Sequence, residues 1–165
     1  MGLQEDLDRI ALQERELTLP KLDADIAWQI GSKLHSIAAE RHLPIVIDIR
    51  RFGQPLFYAA MDRTTPDNPE WVRRKGNVVA RFHHSSYTEA LKEKLKGKTI
   101  YESQGLSLAD YATHGGSFPI RIANAGIVGS ITVSGLPMRQ DHELVIEAIC
   151  SVLGRNYSDL KLPPE

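Results

Sequence analysis

Residues 114–135 read HGGSFPIRIANAGIVGSITVSG, and this stretch decides the fold class. Two apolar runs rich in β-branched residues, Phe118–Ala123 and Ile127–Val133, lie on either side of the turn sequence Asn124-Ala125-Gly126. Apolar runs separated by a short turn that contains Asn and Gly are typical of a β-hairpin. The preceding Gly115-Gly116 pair permits a positive φ or a close approach to another group. The stretch therefore predicts an antiparallel hairpin framed by glycines.

The composition is that of an ordinary globular protein, with 42% hydrophobic and 25% charged residues in a chain of 165. The formal net charge of −1 excludes an overall field that would recruit nucleic acid or an acidic membrane. No run approaches the roughly 18 apolar residues of a membrane span, and the single cysteine, Cys150, fits a reducing compartment. We expect one cytoplasmic domain over 1–165, with a helical extension (1–20), a core (21–154) and a tail (155–165), and no nucleic-acid or membrane partner.

Apolar periodicity places three longer helices and a second hairpin along the rest of the chain. Apolar residues at intervals of three and four predict helices over 23–41, 70–84 and 141–154. The stretch PIVIDIRR, followed by turn residues and then LFYAAM, predicts a second antiparallel strand pair over 45–61. Asp48 lies in that pair, either as a solvent-facing edge carboxylate or as a carboxylate that lines a pocket. Strand pairs with intervening helices indicate an α+β fold.

Capping residues refine the ends of these helices. Asp23, Asn68 and Asp141 are expected to be N-caps, because a side-chain oxygen at that position accepts from the free N–H groups of the first turn. Pro69 would then occupy the first helical position, where its missing N–H costs nothing. Gly154 is expected to end the last helix. The tail after it would be loose or lie on a neighbouring subunit.

The helix predicted over 70–84 carries an excess of positive charge from Arg73, Arg74, Lys75 and Arg81. This is either a solvated basic face or a site for a carboxylate or phosphate, since guanidinium groups match planar anions. The helix runs into His83 and His84, whose side chains would point about 100° apart and so could not both readily ligate one ion. One of them is either a ligand or a packing and capping residue. The sequence contains no complete catalytic or metal-binding motif, so it identifies no catalytic residue and predicts no metal site.

The segment GGSFPIRIANAGIVGSITVSGLPMRQDHELVIEAI (115–149) resembles the hallmark of the small haem-degrading, or haem-binding, domain family, which includes the glycolate-operon G protein. IVIDIRRFGQPLFYAAMDRT (45–64) is similar to the family's first hairpin, and WVRRKGNVVARF (71–82) to its central helix, with Lys75 at the family's lysine. The resemblance covers about 45–150 and is strongest to a short, single-domain intracellular branch. It implies a profilin-like fold, a five-stranded antiparallel sheet with helices on both faces, and symmetric homo-oligomers.

The residues and the resemblance together lead to one site hypothesis. We expect an oligomeric protein that binds a small anionic ligand in a cleft between the Gly115-Gly116 hairpin and the helix over 70–86, with haem as a candidate ligand and no other cofactor. The residues expected to line the cleft are Lys75, His84, Ser85, His114, Gly115, Gly116 and Arg121. For haem, His83 or His84 would be the axial ligand, and the propionates would contact Arg73, Arg74 and Arg81.

Three other functions stay open at this level. The resemblance alone implies oxidative haem breakdown, in which the cofactor carries the difficult chemistry. A non-enzymatic interaction or chaperone-associated scaffold is the alternative, because no catalytic constellation is complete and the amphipathic termini suit subunit contacts. Phosphate-ester binding is the third, and it rests only on the basic helix.

Overall fold

The computed structural model describes residues 2–165, which form seven helices and four strands. The helices are α1 (Gly2–Glu16), α2 (Ala24–Arg41), α3 (Asp67–Phe82), α4 (Ser86–Lys96), α5 (Ile100–Gln104), α6 (Met138–Leu153) and α7 (Tyr157–Leu160). The strands are β1 (Val46–Arg51), β2 (Gln54–Ala60), β3 (Ser117–Ile122) and β4 (Gly126–Ser134). This combination confirms the α+β class. Over the residues described, no helix is both long and apolar enough to cross a membrane.

The strands form one antiparallel sheet in the order β2-β1-β4-β3. Both predicted hairpins are confirmed, and they lie side by side because β1 pairs with β4, with Ile47 opposite Val133. At the tip of the second hairpin, Asn124 and Gly126 have φ values of 64° and 83°. Asn and Gly tolerate this left-handed region best, which explains why the turn forms at this point.

The sheet has four strands over residues 2–165, so the prediction of five is wrong. The position outside β3 is taken by Leu19, which forms an isolated parallel bridge to Ile122. Leu19 donates its N–H to Arg121 O at 2.8 Å and accepts from Ala123 N at 3.4 Å. The bridge at Leu19 is isolated, and so no fifth strand develops beside β3. The profilin-like arrangement implied by the resemblance stays a prediction.

The two faces of the sheet differ in polarity. On one face, apolar side chains of β1 and β4 pack with α2 and α6; they are Ile47, Ile49, Ile131 and Val133. On the other face, Asp48 is only 1% exposed, and Arg50 donates two hydrogen bonds to its carboxylate at 2.8 and 2.7 Å. α3 covers this polar face, where Gly76 lies over the Ser130 hydroxyl. Asp48 is therefore a buried, paired carboxylate, and its interpretation as a solvent-facing edge residue is wrong.

The N-terminal ends of α2 and α3 differ in how they are capped. Asp23 caps α2 as predicted, because its carboxylate accepts from Ile26 N at 2.9 Å. α3 begins at Asp67, one residue before the predicted cap. Asn68 therefore lies inside the first turn, and its side-chain oxygen accepts from Thr65 N at 3.0 Å instead. The prediction of Asn68 as N-cap is wrong because the helix starts directly after a proline.

α6 begins at Met138, three residues before the predicted cap Asp141. Pro137 precedes the helix, and the fixed φ of proline suits a helix start. The carboxylate of Asp141 turns back toward the preceding loop, where it accepts from Leu136 N at 2.9 Å and from Gly135 N at 3.3 Å. Asp141 therefore holds the β4–α6 junction together instead of capping the helix.

The C-terminal tail packs on its own chain. Gly154 ends α6 as predicted, with a φ of 70°. Beyond it, Leu160 and Leu162 are buried, and Leu162 N donates to Glu143 Oε1 at 2.7 Å. Arg139 of α6 also donates to a carbonyl oxygen near the end of the tail. The expectation of a loose tail, or of one lying on a neighbour, is therefore wrong.

Candidate functional site

Four of the seven residues expected to line one cleft are divided between two separate pockets. Lys75 and His114 belong to a pocket of about 190 Å³ between the start of α3 and the β4–α6 junction, which we call the Lys75 pocket. His84 and Arg121 belong to a larger pocket of about 540 Å³ beside α1 and α4, which we call the His84 pocket. Within residues 2–165 the two pockets have no lining residue in common. The predicted single cleft is therefore divided in the structure.

α1 supplies one wall of the His84 pocket. Its contributing side chains are spaced three or four residues apart and so share a helix face; they are Gln4, Leu7, Ala11 and Glu14. α1 is held in place by Ile10, which is fully buried with Leu91 of α4 and Leu162 of the tail. The remaining lining comes from Arg15, His84, Thr88, Lys92 and Arg121. The pocket volume lies inside the range of roughly 300–1,000 Å³ that is common for small-molecule and cofactor sites.

His84 is oriented by a buried carboxylate. Its Nδ1 lies 2.9 Å from Glu14 Oε1, and a carboxylate oxygen accepts, so Nδ1 carries the proton. Glu14 is only 7% exposed, and its other oxygen accepts from Ser85 N at 3.1 Å and from the Thr88 hydroxyl at 3.3 Å. The hydrogen bond that His84 donates to Glu14 raises the pKa of His84 above its ordinary value, against the opposing effect of burial. Within residues 2–165, Nε2 of His84 has no hydrogen-bond partner and is free to bind a ligand.

Three basic side chains line the same pocket: Arg15, Lys92 and Arg121. Lys92 pairs loosely with Glu89 at 3.4 Å. Among the residues that the structure describes, neither Arg15 nor Arg121 pairs with an acidic side chain. The pocket therefore offers positive charge that is available to an anionic ligand.

The chemistry of these groups fits haem. Haem iron receives four nitrogens from the macrocycle, so the protein needs to add only an axial ligand such as a histidine nitrogen. Nε2 of His84 has the right chemistry, Leu7 and Ala11 offer apolar surface, and Arg15 and Arg121 are suited to propionates. A bare metal ion lacks ligands here, because residues 2–165 contain no group of three or more His, Cys, Asp or Glu side chains arranged for a metal.

Two other predicted residues near His84 lie apart from the pocket. His83 ends α3 with a φ of 59°, and its ring stacks on Phe52 with centroids 6.2 Å apart. Ser85 is fully buried as the N-cap of α4, where its hydroxyl accepts from Thr88 N at 3.0 Å. Of the two histidines proposed as axial ligands, only His84 therefore lines the large pocket.

The arginines of α3 also lie outside the His84 pocket. Arg73 pairs with Glu70 and Asp110 at 3.0 and 3.1 Å. The guanidinium of Arg74 stacks over the Trp71 ring at 4.3 Å. Arg81 is exposed near the end of α3. The cations that line the pocket come from α1, α4 and β3, and not from the basic helix that the sequence singled out.

A buried ion pair forms the floor of the Lys75 pocket. Nζ of Lys75 donates to Asp141 Oδ2 at 3.0 Å and to Val133 O at 3.1 Å, and Lys75 is only 3% exposed. Burial lowers the pKa of Lys75, and it raises the pKa of Asp141 to about 6 although Lys75 opposes that shift. His114 lies at the rim, edge-on to Trp71 with ring centroids 4.8 Å apart. The pocket thus combines a desolvated ammonium group, a carboxylate and an imidazole.

Gly115 and Gly116 are buried behind this ion pair. A Cβ on Gly116 would lie 2.3 Å from Val133 O and 2.7 Å from Lys75 Nζ, and the residue has a φ of 136°. A Cβ on Gly115 would lie 2.3 Å from Met138 O. The structural role of the glycine pair is therefore to let the start of β3 approach Lys75 and α6 closely.

Sequence reasoning missed Glu14, Arg15 and Lys92. Glu14 contacts His84 across 70 residues of chain, and no local spacing reports such a contact. One signal was present, because Glu14 lies four residues after Ile10 and so falls on the buried face of α1. A carboxylate on the apolar face of an amphipathic helix indicates a specific partner. Arg15 and Lys92 gave no comparable signal.

Known protein families and relatives match this chain over most of its length. The model of the family "Haem degrading protein HbpS-like" matches residues 22–150. The UPF0303 protein of Acidobacterium capsulatum is 55% identical over 163 residues, which are 99% of each chain. The UPF0303 protein of Paraburkholderia phytofirmans is 53% identical over 162 residues, which are 98% of each chain.

Solved structures share the fold. The Ybr137w protein superposes with a TM-score of 0.83 at 25% identity, covering 90% of this chain and 87% of that one. A PduOC:haem complex superposes with a TM-score of 0.68 at 17% identity, covering 79% and 94%. HbpS superposes with a TM-score of 0.62 at 21% identity, covering 86% and 96%. With the family match spanning most of its length, this chain belongs to the HbpS-like haem-degrading protein family.

Proposed function

We propose that this protein binds haem in the His84 pocket, with Nε2 of His84 as the axial ligand. The observation that carries the proposal is the contact between His84 Nδ1 and Glu14 Oε1 at 2.9 Å. Histidines that ligate a metal usually donate their other ring N–H to a carboxylate or carbonyl, which fixes the tautomer and raises the basicity of the ligating nitrogen. His84 makes this kind of contact through Nδ1. Family membership and the likeness to a PduOC:haem complex also support haem as the ligand.

Different residues of the pocket would contact different parts of the haem. Leu7 and Ala11 would contact the apolar face of the macrocycle, while Arg15 and Arg121 would pair with the propionates. Glu14 would hold His84 in the ligating tautomer. When bound, haem supplies the redox-active iron, and the macrocycle is itself the substrate of the breakdown for which the family is named. No residue of the pocket is assigned a catalytic role.

The direct test is a haem titration of the purified protein, followed by the Soret absorbance. The parent protein is expected to give a saturable shift. His84→Ala is expected to bind haem about tenfold or more weakly, because the iron loses its axial ligand from the protein. The matched control is His83→Asn, because Asn tolerates the positive φ at this position and His83 lies on Phe52, away from the pocket. Equal haem binding by His84→Ala and the parent would refute the proposal.

A second candidate function, self-association, is favoured by exposed aromatic residues beside a free sheet edge. β2 is the last strand on its side, so its outer edge has no strand partner within residues 2–165. Trp28 is 62% exposed and packs edge-on against Phe57, and Tyr58 is 49% exposed. Aromatic side chains are enriched in interfaces, and an unpaired edge can accept a strand from another copy. A homo-oligomer is expected by light scattering, and Trp28→Lys should lower its mass; an unchanged mass would exclude this edge.

A further inference from the structure

We propose that the Lys75 pocket is a second ligand site, which binds a short-chain carboxylate with its charged end beside Lys75 and His114. This site is distinct from the proposed haem site, because within residues 2–165 the two pockets have no lining residue in common. Its volume of about 190 Å³ restricts the ligand to a few heavy atoms, since drug-sized ligands occupy roughly 300–1,000 Å³.

Lys75 and Asp141 form an ion pair and offset each other, so the uncompensated positive charge beside this pocket is that of Arg74, which pairs with no acidic side chain within residues 2–165. The carboxylate of Asp141 is satisfied by Lys75 at 3.0 Å and by two backbone amides of the β4–α6 junction at 2.9 and 3.3 Å. At His114, burial lowers the pKa first, and the positive charges of Lys75 and Arg74 lower it further, with only Glu93 opposing them. An anionic group at the rim therefore meets a favourable potential.

Several hydrogen-bond donors in the pocket are unused. Within residues 2–165, the hydroxyl of Ser134, the amide nitrogen of Asn68 and the one N–H of a neutral His114 ring have no protein partner, although all three side chains line the pocket. Lys75 has three N–H donors and spends two of them on protein oxygens. A carboxylate has two oxygens that can accept several hydrogen bonds, so it matches a pocket in which donors outnumber acceptors.

The rest of the lining selects the remainder of the ligand. Trp71, Leu136 and Met138 offer apolar surface around the polar floor, which suits an alkyl chain of a few carbons. A phosphate dianion fits less well, because Lys75 is already paired with Asp141, and Arg73 with Glu70 and Asp110, which leaves only the single charge of Arg74 nearby. A monocarboxylate with a short apolar tail satisfies both halves of the site.

Propionate is a suitable probe, and propanamide is its uncharged control of nearly the same shape. Titration of each into the full-length protein is followed by the NMR signals of the His114 ring. We expect a saturable shift with propionate, at least tenfold weaker binding of propanamide, and a higher His114 pKa in the propionate complex. Equal binding of the two probes would overturn the proposal, and so would a shift that sodium chloride reproduces at the same ionic strength.

Variants show where propionate binds and separate its binding from that of haem. Ser134→Ala removes one free donor, and Arg74→Gln removes nearby positive charge; each is expected to weaken propionate binding several-fold. Arg81→Gln, an exposed arginine on the same helix, should leave it unchanged. The His84→Ala protein should bind propionate like the parent. Loss of propionate binding in Arg81→Gln or His84→Ala would contradict this assignment, whatever the outcome of the haem titration.

Discussion

The imidazole of His84 and the carboxylate of Glu14 are 2.9 Å apart, although 70 residues separate them in the chain. The contact joins α1, the N-terminal extension, to the segment between α3 and α4. It fixes which nitrogen of His84 carries a proton and leaves the other without a hydrogen-bond partner within residues 2–165. The His84 side chain lines a pocket that is also lined by Arg15 and Arg121. The N-terminal helix is therefore part of the proposed haem site, because it supplies both the orienting carboxylate and the apolar wall.

The Glu14–His84 contact makes haem binding depend on pH. Glu14 raises the pKa of His84, and a protonated imidazole cannot ligate iron, so affinity should fall as the pH drops through that raised pKa. In Glu14→Gln the pKa returns toward its ordinary value, and the fall should therefore begin at a lower pH. At high pH the same variant should bind about tenfold or more weakly, because the ligating nitrogen loses basicity.

The measurement is the haem dissociation constant of the parent and of Glu14→Gln from pH 5 to pH 9. Glu16→Gln is the matched control, because Glu16 lies on the same helix and contacts Arg155. A pH profile that is the same in the parent and in Glu14→Gln would show that Glu14 does not act on the ligand.

The contacts of the two haem propionates differ between the site seen in the structure and the site expected from the sequence. Arg121 lines the His84 pocket, whereas Arg81 was expected from the sequence and lies outside it. A partly exposed ion pair contributes about 0.2–1 kcal/mol, so Arg121→Gln should weaken haem binding by a factor of about 1.4 to 5. Arg81→Gln should have no effect. The reverse ranking of the two variants in the same titration would place the propionates on α3.

Gly116 is expected to tolerate no side chain. Alanine there would adopt a φ of 136° and place its Cβ 2.3 Å from Val133 O. Backbone strain and overpacking each cost about 1–3 kcal/mol, so Gly116→Ala should lower the free energy of unfolding by about 2–6 kcal/mol. Gly76→Ala is the control, since Gly76 is helical and a Cβ there meets only the Ser130 hydroxyl at 3.9 Å. It should raise stability by up to about 1 kcal/mol in urea unfolding. Equal stability of the parent and Gly116→Ala would contradict the close approach.

The sequence predicted the features that depend on local chemistry. The hairpin tip at Asn124 and Gly126 requires positive φ, and Asn and Gly are the residue types that predict such a turn. The start of α6 was placed three residues late, because Asp141 looks like a cap but binds backward to the loop and across to Lys75. Its partner on α3 lies 66 residues away, and side-chain spacing along the chain carries no information about such pairs.

The division of the predicted cleft has a similar cause. The sequence hypothesis named Lys75, His84, His114 and Arg121, and all four line pockets, while their part in binding stays a prediction. It did not indicate that α1 docks beside α4 and forms a pocket of its own around His84. That docking depends on Ile10, whose burial partners come from distant parts of the chain.

The central claim is axial ligation by His84, and ligand rescue tests it most directly. His84→Gly removes the imidazole and leaves space for an external one, so its haem complex should have an altered Soret band that added imidazole restores to the parent position. His83→Gly, measured in parallel, should match the parent with or without imidazole. A His84→Gly protein whose spectrum already equals that of the parent, and does not respond to imidazole, would show that His84 is not the ligand.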